Sequence, residues 1–169
     1  MKTQSRQRFR ISKEGYWRDL LLSLEYQQRL FTEALDCETM EVVANEGDFE
    51  QGVKRKLRFV KRSDAPAPIR KVFGETNTVE EISEFDAQQE CWTYRMVPAV
   101  MGDRVSIRGA IRVEDNGDGT VDQVTEQIFE CKIFGIGSLV ERFIARSIQQ
   151  SQADKTAFTE AYIEEKQLS

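Results

Sequence analysis

The chain has 169 residues, 24 Lys and Arg against 29 Asp and Glu, and no histidine. That length suits one domain, residues 1–169, with its own hydrophobic core, and a net charge of −5 counts against a general nucleic-acid binder. Without histidine the chain lacks the usual near-neutral acid/base, the usual partner of a nucleophilic Ser or Cys, and the commonest transition-metal ligand, so any catalysis must rest on carboxylates, Lys, Tyr or Cys.

The first residues, MKTQSRQRFRISK, are basic but lack the apolar run of a signal peptide, and no segment approaches the ~18 apolar residues of a membrane span. A cytoplasmic protein without membrane insertion is the expectation. Residues 5–11 read as a first strand with Phe9 and Ile11 on one side. From Glu14 the period changes: Trp17, Leu20, Leu21, Leu24, Phe31 and Leu35 follow helical steps. Ser23 can cap a second piece, so two short helices meeting near Ser23 fit as well as one continuous helix.

Short strands follow, at 37–45, 52–62, 76–85, 90–98, 104–114 and 120–134, divided by Gly-, Asp- and Pro-containing turns. Their short connections imply an antiparallel meander. Only Asp64 to Gly74 breaks it, where Pro66 and Pro68 precede a helical turn ended by Gly74. Alternation puts Leu57 with Phe59, Trp92 with Tyr94 and Met96, and Val105 with Ile107, Ile111 and Val113, each group on one face. Cys37, Cys91 and Cys131 have no metal or disulfide spacing and read as buried, reduced thiols.

Six basic residues fall between Lys54 and Arg62, flanked by strands rich in Glu and Asp. In a meander these strands are neighbours, and cross-strand pairing of opposite charges accounts for the blocks without a partner. The run Asp115-Asn116-Gly117-Asp118-Gly119 fails as a calcium loop, because an EF-hand register puts Thr125 where a bidentate Glu is required; it reads as a hairpin turn. Gly135-Ile136-Gly137 lacks the rest of a phosphate loop and reads as a strand exit. No metal ligand set and no cofactor site is found. Glu126 and Glu130 share a strand face and would serve acid/base chemistry if buried.

The last element is a long helix from Ser138 to Glu165, for which Ser138 and Glu141 supply the pattern of a capping box. Its large apolar residues sit near its ends: Val140, Phe143, Ile144 and Ile148, then Phe158 and Tyr162. Between them the inner positions carry Ser147, Ser151 and Lys155 or Thr156. A helix lying across a curved sheet with small polar residues at its middle leaves room beneath it. The residues expected around that room are Leu57, Phe59, Trp92, Tyr94, Met96 and Ile107 from the sheet, with Phe143, Ser147, Ile148 and Ser151 from the helix.

The order strand, two short helices, six-strand meander and long C-terminal helix resembles the helix-grip pattern of the START-like superfamily, which includes the birch-pollen allergen and the polyketide cyclases. More narrowly the chain is similar to a bacterial START-like family of unknown function, through Pro68-Ile69-Arg70 and Gly74, Gly117-Asp118-Gly119-Thr120, and Ile136-Gly137-Ser138-Leu139-Val140-Glu141. The resemblance implies an α+β fold in which a seven-stranded curved antiparallel sheet grips the C-terminal helix over a cavity. It implies no catalytic residues, and the histidine some relatives employ is missing. The leading expectation is non-catalytic binding or carriage of a hydrophobic small molecule, lipids among the candidates, by a monomer or homodimer. A cyclase- or hydrolase-type enzyme using Glu126, Glu130 or Tyr94 and a co-chaperone-like interaction module are the alternatives.

Overall fold

The computed structural model describes residues 1–169. Seven strands form one antiparallel sheet: β1 (Lys2–Phe9), β2 (Thr39–Asp48), β3 (Gly52–Arg62), β4 (Thr76–Asp86), β5 (Cys91–Pro98), β6 (Val105–Asp115) and β7 (Val121–Cys131). The order is β1-β7-β6-β5-β4-β3-β2, so the six meander strands pair in sequence and β1 closes against β7. Because β1 and β2 lie on opposite edges, the chain between them must cross the sheet. It does so as two short helices. The first, α1, is a turn at Lys13–Gly15 widened over Tyr16–Leu21; the second, α2, is Leu24–Arg29 widened over Leu30–Ala34. Ser12 and Ser23 cap them, each hydroxyl accepting the N–H three residues on at 3.2 Å. A seven-residue helix, α3 (Ala67–Phe73), interrupts the meander, and α4 (Gly137–Lys166) lies across the sheet.

Apolar side chains gather in three places. The largest cluster packs Trp17, Tyr16 and Leu20 of α1 against Phe85, Trp92, Val113 and Val121 of the sheet, joined by Tyr162 and Ile163 at the end of α4. A second holds Phe31, Cys37, Met40, Leu57 and Phe59. A third, at the opposite end, sets Val140 on Ala65, Ile69, Val105 and Phe129. Thus α4 is fastened at both ends. At its C-terminal end the Tyr26 and Thr159 hydroxyls bond at 2.7 Å, and Arg29 and Lys166 form ion pairs with Glu165 and Glu25.

The capping box at the start of α4 does not form. Gly135, at φ +83°, turns the chain so that the Leu139 and Val140 N–H groups already bond to the Ile136 carbonyl, and Ser138 falls inside the first turn. The hairpin at 116–120 is a turn as expected: Gly117 and Gly119 take positive φ, and the Asp115 and Asp118 side chains accept from the N–H groups of Gly117 and Thr120. The basic run on β3 is largely neutralised across strands on the outer face, where Lys56 and Arg58 bond Glu80, Arg58 also meets Glu41, and Arg62 meets Glu38.

Candidate functional site

Between the sheet and the middle of α4 lies a cavity of about 260 Å³, partly open to solvent, with 16 hydrophobic residues among the 28 that line it. Period-two alternation supplies its floor: Phe59, Trp92, Tyr94, Met96, Ile107 and Ile111 point inward from adjacent strands. The helix supplies its roof through Ile144, Ser147, Ile148, Ser151 and Lys155, and the crossing helices close one side with Tyr26, Leu30 and Phe31.

Eight of the ten residues expected around the room lie on this wall: Phe59, Trp92, Tyr94, Met96, Ile107, Ser147, Ile148 and Ser151. Leu57 and Phe143 do not. Leu57 points inward but is sealed under Phe31 and Met40, and Phe143 packs at the N-terminal end of α4 where the helix already touches the sheet. Alternation fixes the face a side chain takes, while its height beneath the helix depends on tertiary packing. Gly109, opposite Tyr94 on β6, shapes the floor by what it lacks: a Cβ there would come within 2.5 Å of the Tyr94 ring.

Glu126 and Glu130 are on the other side of the sheet. Gln123, Thr125 and Gln127 take the inward positions of β7, so Glu126 and Glu130 face solvent, where they pair with Lys2 and Arg108. This removes them from any cavity chemistry. Tyr94 is on the wall, but burial, reinforced by Glu81, raises its phenol well above the ordinary value, so at neutral pH it is a hydrogen-bond donor, not a base.

Three charged residues line the cavity: Lys61, Glu81 and Lys155. None forms an ion pair within 4.0 Å. Burial pushes the Glu81 carboxyl up, opposed by the positive charge of Lys155; burial pulls the Lys155 ammonium down, opposed by Glu81. The sequence had a signal for Glu81, since it shares the inward phase of Val79 and Phe85 on β4. Another inward charge, Arg55, is used differently. Its guanidinium donates to the Leu21 and Leu22 carbonyls at 2.8 and 2.7 Å and to Asn45 Oδ1 at 2.8 Å, and it lies over the Trp92 ring. It therefore ties the junction between α1 and α2 to the floor of the cavity.

A family of proteins of unknown function, DUF2505, matches residues 7–163. The chain belongs to this family. Its fold recurs in solved structures of low identity. The ZhuI aromatase/cyclase of Streptomyces sp. R1128 superposes with a TM-score of 0.70 at 13% identity, over 97% of this chain and 93% of that one. Major latex-like protein 151 of Panax ginseng gives 0.62 at 13% identity, over 96% of each chain. A START superfamily protein of Mycobacterium smegmatis gives 0.60 at 9%, over 92% and 94%. No protein of curated function matches the chain in sequence. The fold is the START-like helix grip, and no helix is long and apolar enough to cross a membrane. At these identities the likeness fixes the fold; the chemistry of the cavity has to be read from this chain's own residues.

Proposed function

We propose that this DUF2505 protein binds and carries a hydrophobic small molecule in the cavity beneath α4, without converting it. The observation that carries this reading is the contrast along the helix. Large side chains fasten its N-terminal end to the sheet and its C-terminal end to the crossing helix α2, while Ser147 and Ser151 roof an apolar-floored space of about 260 Å³. A mostly apolar pocket with a few polar groups suits an amphipathic ligand, and the volume, just under the ~300 Å³ lower end of drug-sized sites, points to a small one. Lipid fragments and single aromatic molecules are of the right size class.

Native mass spectrometry after gentle purification tests this directly. A co-purifying apolar mass is expected, and Ser147→Phe and Ser151→Phe should each remove it at a folding cost of about 1 kcal/mol, since the added rings fill space already present. Retention of the same mass by both variants would overturn the reading, because the ligand would then sit elsewhere.

A further inference from the structure

The charged groups on the cavity wall make up an unbalanced set. Two lysines, Lys61 from β3 and Lys155 from α4, face one carboxylate, Glu81 from β4. Opposite charges on the outer face of the same strands are in contact at 2.8–2.9 Å, as at Arg58 and Lys56 with Glu80. On the inner face no such contact closes, although Lys155 interacts through space with both Glu81 and Lys61. One positive charge is in excess, and moving a proton from Lys155 to Glu81 leaves that excess unchanged. Arg55, the other inward cation, is already committed to the two helix-end carbonyls and to Asn45.

A positive excess walled by apolar side chains is completed by an anion, because Coulomb attraction grows as water is excluded. An ammonium compound would add to the excess, and a neutral alcohol would leave it unanswered. The carrier reading gives the rest of the ligand. We propose, building on that reading, that the cavity selects a small monoanionic amphiphile, its carboxylate seated between Lys155 and Lys61 and its apolar body lying on Trp92, Met96, Ile107 and Ile148. Glu81, which shares the neighbourhood of Lys155, limits how negative a ligand the site accepts: one charge balances the wall, and a second has no cation to meet it.

The full-length chain, stripped of co-purified material, can be titrated with octanoate, 1-octanol and octylammonium, which share a chain and differ in head group. Binding is followed by calorimetry and by the fluorescence of Trp92 against that of the buried Trp17. Octanoate is expected to bind at least about tenfold more tightly than the other two, the discrimination expected of a hydrogen bond to a charged group. Lys155→Met should reduce octanoate to the level of octanol, and Lys155→Arg should restore the preference. Lys61→Met, on β3 and not on the helix, provides an independent loss of preference should Lys155→Met fold poorly. Equal binding of octanol or octylammonium to the wild-type chain, or a tenfold octanoate preference that survives both methionine variants, would overturn the anion assignment while leaving the carrier reading intact. Failure of all three probes to bind would overturn both.

Discussion

Glu80 and Glu81 are adjacent on β4 and point to opposite faces of the sheet. Glu80, on the outer face, is bonded by Lys56 and Arg58, which hold its carboxyl below the ordinary value. Glu81, on the inner face, has no cation in contact, and burial pushes its carboxyl up. The same residue type, one position apart, is stabilised as an anion on one side and penalised as an anion on the other. The outer face is a finished surface in which charges answer each other across strands. The inner face holds charges whose partners the fold does not supply, as in binding sites where such groups meet a ligand.

The contrast can be broken most sharply at Arg55, an inner-face charge that the fold does satisfy. Arg55→Met leaves the Leu22 carbonyl without its donor and the Leu21 carbonyl with only Gln27 Nε2 at 3.2 Å, and a loss of about 3 kcal/mol in urea denaturation is expected. A neutral result would mean that inward charges contribute nothing to stability here. Next in size is Gly109→Ala, whose methyl would meet the Tyr94 ring at 2.5 Å and the Glu126 carbonyl at 2.8 Å. About 1–3 kcal/mol should be lost, and the environment of Tyr94, read by near-ultraviolet circular dichroism, should change with it.

The smallest effects, and the most diagnostic, are in pH dependence. Asp122 on the outer face accepts from Arg8, Asn116 and Arg6, which hold its carboxyl far below the usual range. A depressed folded-state value gives stability that is present at neutral pH and lost in acid. Asp122→Asn should therefore be less stable than wild type at pH 7, with the gap narrowing below about pH 4, where the unfolded carboxylate takes up its proton. Glu81 has the opposite sign. Its raised folded-state value penalises the wild type at pH 7, where the unfolded state is ionised, so Glu81→Gln should be the more stable protein there. That gain should vanish below about pH 4, where Glu81 is protonated in both states. Urea titrations at pH 3 and pH 7 check both, and a shared sign at pH 7 would contradict the distinction between the faces.

The strands, the division of the crossing segment at Ser23 and the inward phase of Trp92, Tyr94 and Met96 were legible in the sequence because each is written as a local period or a local cap. The pairing of the basic run was legible because a meander makes successive strands neighbours. What stayed hidden depends on other kinds of information. Arg55 sits in a run of cations and differs from Arg58 only in phase and in the helix ends brought over it by tertiary packing. Glu81 was masked by Glu80 and Glu84, whose outward charges drew the segment together as one acidic block. The sealing of Leu57 and the placing of Phe143 outside the cavity follow from where α4 touches down. Ser138 lost its capping role because the turn at Gly135 put the cap two residues earlier, at Ile136.

The manner in which α4 is fastened separates two demands that usually compete. Its anchors at Val140 and at Thr159, Tyr162 and Ile163 hold the helix at a fixed height, and Ser147 and Ser151 between them bear little of that duty. Changes in the middle can therefore reshape the cavity while the ends keep the helix in place. On the carrier function proposed above, substitutions along this one helical stripe change the ligand and leave the fold in place.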